Sequence, residues 1–497
     1  MDPKRATGFA AGLAALAALR VLVYALAFPF FNQVDEHQHV DSVVRYARGE
    51  LPGAEMRGLD SRTARWSLEF GTFEYLSPGP VVPLPYLARP GAHPRDPLVR
   101  KANQAFLDVR NNEHDSPPVY FIAAGSWLRL GEAVGLDGRP LLYWLRGLNA
   151  LMLGGLVFAS FRVLRTLFPE RAGLHLGVPA LVAFTPQDCL FGVTTDAMAL
   201  GTGGVAFLGL AWLGTRREPA PRAAYAAVGL AVAAAFLTKY TSLFLVAGAA
   251  ALALGELVRG GDRWRAGFAA RWAAWSAAAG LPVALWLVRN RAVLGDWSGT
   301  ARKVAHLEWT PRPPAEWLDH PVVTPSGFAE FVGRLIPRFW RGEFLWHGEE
   351  MALPAADVAY TVLTLSLVAV VLVVWAKGLR APRPGPDPAR VVDGLALLSL
   401  GLAVATLALL SMRFTFADWG TPTADDPYFV HGRLISGAVW PACWLWVRGL
   451  EALCRRLPER LRQGALWAAL ALLLVAITVS EAVVNAPVFA SPWNALG

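Results

Sequence analysis

The stretch FNQVDEHQHVDSVVRYARGELP at 30–52 sets two adjacent carboxylates, Asp35 and Glu36, directly after an apolar run that ends at Phe31. A carboxylate pair at a membrane–water boundary is costly to bury and open to a substrate that arrives in lipid. A solvated acidic cap at the end of a span is the plainer alternative. The same stretch holds His37, His39 and Asp41. On a helix Asp35 and His39 are one turn apart, as are His37 and Asp41, a spacing able to hold a metal ion. Interfacial polarity accounts for it equally, so a divalent metal stays open and no cofactor is required. Val40, Val43, Val44 and Ala47 form a helical apolar stripe. It predicts a helix lying on the membrane and ending near Gly49, with Pro52 beyond.

Four further segments carry polar residues between apolar runs. NNEHDSPPVYF at 111–121 places His114 and Asp115 before two prolines that can open a helix, where a missing N–H costs nothing. FTPQDCLFGVTTDAMAL at 184–200 holds Asp188 and Asp196, with Thr194 or Thr195 available as a helix cap. FLTKYTSLF at 236–244 holds Lys239, a point charge suited to a lipid phosphate or a lysine snorkelling at a tight turn. YFVHGRLI at 428–435 holds His431 and Arg433, and LVRNRAVLGDW at 287–297 holds Arg289 and Arg291. Arginine suits bidentate phosphate recognition.

The elements that must position these residues are membrane spans. Hydrophobic residues make up 55% of the 497 and charged residues 17%, against roughly 25% charge in a soluble protein. About eleven runs approach the roughly 20 apolar residues of a spanning helix: 8–31, 141–161, 175–192, 197–213, 223–239, 241–258, 272–290, 356–376, 391–412, 433–450 and 464–484. If each crosses once, five arginine-rich links share one side with Lys4 and Arg5. They hold Arg162–Arg171, Arg216–Arg222, Arg259–Arg271, Lys377–Arg390 (with Arg383) and Arg455–Arg462. That side is cytoplasmic by the positive-inside rule. The net charge of +8 is thereby explained as orientation, and no nucleic-acid partner is expected. Lys239, Arg289, Arg291 and Arg433 then face outward, against the rule. Residues 117–135 must not cross, and their amphipathic pattern, with Arg129 and Glu132, predicts a helix along the outer interface.

Met1-Asp2-Pro3-Lys4-Arg5 and the run to Phe31 read as a retained first span, despite a cleavage-like Ala25-Leu26-Ala27. Cys189, Cys443 and Cys454 have neither disulfide nor zinc spacing. The expected fold is all-α, a polytopic transmembrane helical bundle with interfacial helices in its first outer loop. It divides into a module at 1–290 that includes the outer loop 32–140, an outer loop at 291–355, and a C-terminal module at 356–497. The 291–355 loop carries Trp297, Trp309, Trp317, Trp340 and Trp346, as interfaces do. A third outer segment is 413–432, and the C-terminus ends outside.

Together these residues resemble the GT-C superfamily of membrane glycosyltransferases, nearest to the protein O-mannosyltransferases and the lipid A aminoarabinose transferase. The likeness covers about 8–260 well and the rest loosely. Asp35-Glu36 is similar to the acidic motif after the first span, HDSPPVYF at 114–121 to an HPPLYY-type segment, LTKYTSL at 237–243 to an LTK motif, and HGRLI at 431–435 to a GRYLLP-type motif. The resemblance implies a GT-C-type fold and transfer of a sugar from a polyprenyl-phosphate donor to a glycan, lipid or protein acceptor. Asp35 would be the general base of an inverting displacement, with Glu36 and Asp196 orienting base, acceptor or metal. Lys239, Arg433, His431, Arg289 and Arg291 would hold the donor phosphate or lipid. His114, Asp115 and His39 would contact substrate. The site would face outward from a cell or inner membrane, with the N-terminus cytoplasmic. Relatives carry a lysine near the HPP-type segment, and none stands between His114 and Tyr120. The competing expectation is a transporter or flippase of lipid-linked sugars without chemistry; a structural subunit is a third.

Overall fold

The computed structural model describes residues 3–76, 85–88, 93–186, 188–259, 262–380, 387–418 and 421–496; Arg383 lies outside them. The described chain is almost wholly helical. The first helix, α1 (Pro3–Ala27), leads into four helices of the first loop: α2 (Glu36–Ala47), α3 (Ser61–Phe70), α4 (Pro97–Asp108) and α5 (Val119–Ala133). Then follow α6 (Gly138–Leu167), α7 (Ala172–Phe184), α8 (Thr195–Gly214), α9 (Arg222–Phe236), α10 (Phe244–Arg259), α11 (Asp262–Arg265) and α12 (Phe268–Leu294). The second loop carries α13 (Ala301–His306) and α14 (Pro325–Arg341). The chain closes with α15 (Pro354–Arg380), α16 (Pro388–Arg413), α17 (Val439–Cys454) and α18 (Glu459–Phe489). Two-residue ladders join Thr310–Pro311 to Phe414–Thr415 and Leu345–Trp346 to Glu349–Glu350.

Among the described residues, 7 helices are long and apolar enough to cross a membrane: α1, α6, α8, α10 with the turn before it, α15, α16 and α18. A helix is the form in which an apolar segment satisfies its own backbone in lipid. The protein is therefore membrane-embedded. The apolar helices α7 and α9 are shorter, at 13 and 15 residues.

The bundle has two ends. Arg146, early in α6, donates to the carbonyls of Ala25 (2.7 Å) and Phe28 (2.6 Å), while Arg165, late in α6, reaches the Thr7 hydroxyl (3.1 Å). So α1 and α6 run antiparallel. One end holds residues 28–35 and the large loops, here the loop end; the other holds the arginine-rich links, here the basic end. The C-terminal segment sits at the loop end, where Ala495 N–H donates to Leu26 (3.2 Å) and Ser491 to Glu74 (2.9 Å).

Several helices stop short of the expected span boundaries. The first ends at Ala27 rather than Phe31, because Pro29 disfavours helical backbone before it. α7 ends at Phe184, one residue before Thr185-Pro186, for the same reason. α9 ends at Phe236, and residues 432–438 form a 3₁₀ segment ahead of α17. Each lost segment becomes a largely buried link at the loop end. Irregular backbone is tolerated at that depth where protein covers it.

The second difference concerns α2. Its stripe of Val40, Val43 and Val44 is buried against Tyr120, Phe121, Ala124 and Leu128 of α5, not laid on lipid. The approach is close. A side chain at Gly125 would meet the Ala47 backbone nitrogen at 2.9 Å. The helix does end just before Gly49, whose φ is 79°. A third difference is that charge is not confined to the loop end. Arg20 of α1 pairs with Glu481 of α18 (Nε to carboxylate 3.1 Å), and Arg448 of α17 pairs with Asp393 of α16 (2.8 Å). Both pairs are shielded by protein, as intramembrane charges require.

Candidate functional site

The turn between α1 and α2 is built around Glu36. Its carboxylate accepts from Arg146 Nε (2.9 Å) and Nη2 (2.8 Å), from Phe31 N–H (2.9 Å) and from Val193 N–H (3.0 Å). Four donors occupy its four lone-pair directions. Glu36 was expected to orient base, acceptor or metal; with its lone pairs committed, what it holds is the turn itself, clamped to α6 and to the link before α8. Asn32 adds a second clasp, accepting from Tyr75 N–H (3.0 Å).

This clamp presents Asp35. Its φ is 63°, in the left-handed region that few residues other than glycine, asparagine and aspartate adopt. Its side chain makes no cap hydrogen bond and has no ion-pair partner among the described residues. The acid is half-buried. Residues held in such sparsely populated backbone conformations cluster at functional sites.

Cations face it. Burial alone would lower the pKa of Arg433, yet Glu343 and Asp35 hold it above its usual value; Lys303 is likewise raised, by Glu113 and Asp35, against burial. Arg433 is placed by Gly432, where a side chain would stand 2.3 Å from the Phe339 backbone, so the 432–438 turn can press on α14. Its guanidinium reaches Asp196 (3.4 Å) and Glu343 (3.8 Å). Lys239, just past α9, ion-pairs with the same Asp196. Asp196 sits in the first turn of α8, capped by Thr194 (3.3 Å) as the sequence suggested. Its part is thus to balance two cations. Lys303 of α13 pairs with Glu113, which also accepts from Ser116 (2.8 Å). His431 bonds Glu343 through Nδ1 (2.7 Å).

His39 completes the group. One turn along α2 from Asp35, it stacks on Phe121 (6.0 Å) and meets Thr194 through Nε2 (3.4 Å). Burial pushes it down to about 4, so it is neutral at neutral pH, and its Nδ1 is buried without a partner. Asp35, His39, Asp196, Lys239, Arg433 and His431 are thereby brought together from four distant parts of the chain.

The remaining candidates do not join them. His114, Asp115 and Arg289 form a neighbouring cluster. Asp115 is paired with Arg302 (Nε 2.9 Å), Arg289 bonds the Pro52 carbonyl, and His114 meets Tyr46 edge-on at 6.0 Å. Burial and the surrounding arginines push His114 down to about 3. Arg291 is exposed and bonds Gly295 of its own turn, away from the group. The metal spacing also dissolves on the His37–Asp41 side. Asp41 is taken up by Arg45 (2.8 Å) and Asn111 (2.7 Å). No group of three or more metal-ligating side chains stands together among the described residues.

Sequence inspection missed Arg146, Glu113, Lys303 and Glu343. Arg146 had a signal, a lone arginine near the start of an apolar run. The other three lie in polar loops where one charge looks like the next. The structure also leaves a small, partly enclosed cleft of about 20 Å³ between the Phe28–Val34 turn and residues 343–345. No protein-family model matches this chain and no curated protein matches it significantly, so the site stands on its own geometry.

Proposed function

We propose that this chain is a membrane glycosyltransferase of GT-C type, moving a sugar from a polyprenyl-phosphate donor to an acceptor hydroxyl. In this reading Asp35 takes the proton of the acceptor hydroxyl. The freed oxygen attacks the anomeric carbon from the face opposite the phosphate. The bond from that carbon to the phosphate oxygen breaks, the configuration inverts, and the lipid phosphate leaves carrying the electron pair. Arg433, Lys239 and Lys303 balance its charge. The observation that carries the reading is the unpartnered Asp35 carboxylate set against half-buried cations at one end of a membrane bundle.

Two further points support it. The lysine missing from the 114–120 segment has a spatial counterpart in Lys303, paired with Glu113 directly before that segment. With α7, α9, α12 and α17 counted beside the seven long apolar helices, the chain makes eleven crossings, and the arginine-rich links then share the cytoplasmic side. The loop end faces outward from a cell or inner membrane. Transport without chemistry would call for charged residues along a mid-membrane path; Arg20–Glu481 and Arg448–Asp393 instead close on themselves.

The test uses the full chain reconstituted in lipid with a labelled polyprenyl-phosphate sugar. Asp35→Asn keeps the shape of the side chain and removes the base. We expect transfer to fall by about 10²–10⁴-fold, the usual contribution of a general base, with folding and insertion unchanged. Full activity in this variant would overturn the assignment.

A further inference from the structure

We infer that the groove between α6 and α8 at the basic end binds one anionic phospholipid, with an acyl chain in the groove and the phosphate held by Arg162 and Arg216. The inference goes beyond the transferase reading and needs only that the bundle sits in a membrane. α6 and α8 run parallel, both from the loop end to the basic end. They are held together in their loop-end halves. Asn149 donates to the Gly192 carbonyl (2.7 Å) just ahead of α8, and a side chain at Gly204 would meet Leu156 at 2.7 Å. Past that contact a groove of about 340 Å³ opens, lined by Ala159 and Val163 of α6 and by Val205, Leu208, Gly209 and Trp212 of α8. Trp440 of α17 closes its inner side, donating to Ser160 (2.8 Å) and packing on Phe207 at 5.0 Å. Val205 is 46% exposed, so the groove opens outward from a helix long and apolar enough to cross a membrane.

Charge complementarity names the occupant. Apart from the Trp212 indole, no lining side chain can donate or accept a hydrogen bond. Both helices then turn basic in the same direction. Arg162 stands one turn past Ala159 on the same face of α6 and is exposed. The Arg216 guanidinium lies 4.5 Å from the Trp212 ring centroid, at the mouth of the groove. Its Nε donates to the Glu218 carbonyl (3.3 Å), and no carboxylate pairs with Arg162 or Arg216 among the described residues. An apolar furrow with uncompensated cations at one end is the complement of a lipid chain with an anionic head. From Arg216 back to Val205 is about 16 Å at the helical rise, close to half of a hydrocarbon core of roughly 30 Å. The site therefore has the depth of one leaflet. With the arginine-rich links cytoplasmic, that leaflet is the one whose surface is anionic. The prenyl donor is a poorer occupant, because its phosphate belongs with the cations of the loop end. A second copy of the chain is poorer too, since a two-fold contact here would bring the same uncompensated arginines together.

The experiment is native mass spectrometry on the full chain, titrated in one detergent with dioleoyl phosphatidylglycerol and with dioleoyl phosphatidylcholine. The two share acyl chains and differ in charge. We expect one phosphatidylglycerol to bind roughly 30-fold more tightly than phosphatidylcholine, the effect of two arginines at an anionic headgroup. Arg162→Gln combined with Arg216→Gln should abolish that preference. Arg456→Gln combined with Arg460→Gln removes two exposed arginines from another link at the same end and should keep it. Ala159→Phe fills the groove and should weaken both lipids by about 10-fold, as the loss of about two buried methylenes would. The Arg162 and Arg216 side chains lie outside the core, so their double variant decides the question even where Ala159→Phe fails to insert. Equal affinity of the parent for the two lipids overturns the inference. So does a preference that survives in the Arg162 and Arg216 double variant, or one that falls equally in the Arg456 and Arg460 double variant. A dimer that excludes lipid from the groove, or displacement of phosphatidylglycerol by an equimolar polyprenyl phosphate, also overturns it by giving the groove another occupant.

Discussion

The two ends of the bundle each bury a charge network, and the networks differ in one respect. At the basic end Arg448 donates to both oxygens of Asp393 (2.9 and 2.8 Å) and to Glu451 (2.6 Å), while Trp444 donates to Asp393 (2.9 Å) and Arg171 pairs with Glu451. No side-chain atom of these residues is buried without a partner. At the loop end Gln33 Oε1, His39 Nδ1 and Glu343 Oε1 are buried without a hydrogen-bond partner. The first network joins α7, α16 and α17 and is complete. The second is short of partners, and Asp35 stands free beside it. Burial of charge therefore does not mark the site, since both ends bury charge; the free Asp35 carboxylate does.

The contrast sharpens when it is carried down to two adjacent acids. Glu36 is saturated with donors and Asp35 has none, so the two should fail in opposite ways. Glu36→Ala leaves Arg146 buried without its carboxylate. Breaking one partner of a buried pair costs about 3–5 kcal/mol, enough to lower the unfolding temperature steeply and to lose most folded protein. Asp35→Asn should leave that temperature unchanged while transfer collapses. Thermal unfolding of both variants in one detergent checks the pair. If Glu36→Ala melts with the parent, the turn is not held as described. Removing a loop-end cation is the next largest effect. Arg433→Ala should weaken the lipid-phosphate donor by about 10–100-fold, from the loss of charge-assisted contacts. Unchanged donor affinity would move the phosphate elsewhere.

What could be read from the sequence follows the same division. The helices were legible because apolar length announces itself, and the membrane character followed. Their ends were misjudged wherever a proline or a polar link turned inward, as at Pro29 and at Thr185-Pro186, because hydropathy does not distinguish a buried link from a continuing helix. Asp35, Asp196, Lys239 and Arg433 stood out as charges beside apolar runs. That Asp35 is free while Glu36 is clamped was not legible, since it depends on Arg146, 110 positions away in sequence. Lys303 and Glu343 were invisible for the same reason: nothing local separates a loop charge that folds back to the site from one that meets water. The stripe on α2 was found, but its partner was not, because an apolar stripe does not reveal whether it meets lipid or the apolar face of another helix such as α5.

Smaller effects test the edges of the comparison. Burial pushes the His39 imidazole down to about 4, from the roughly 6.5 of an ordinary histidine. Between those values the unfolded chain binds a proton that the folded chain does not, so stability falls as pH drops from about 6.5 to 4 and is fully present above. The term has an upper bound of roughly 3 kcal/mol at about 1.36 kcal/mol per pH unit. His39→Gln should flatten the change in unfolding temperature between pH 7 and pH 5; a slope equal to the parent's would mean that another group governs that window.

The smallest expected effect belongs to Arg291. It shares with Arg433 an outward place against the charge rule, and sequence alone treats the two alike. Arg433 lies among Asp196, Glu343 and Asp35, whereas Arg291 is exposed and, among the described residues, bonds only its own turn. An exposed arginine of this kind contributes little to stability or to a site it does not reach. Arg291→Ala should therefore change donor affinity and transfer by less than about two-fold, measured beside Arg433→Ala in the same assay. Equal losses in both would mean that the outer surface attracts the donor by its overall charge. A loss in Arg433→Ala alone would mean that position within the incomplete network, not sign or side of the membrane, makes a cation functional.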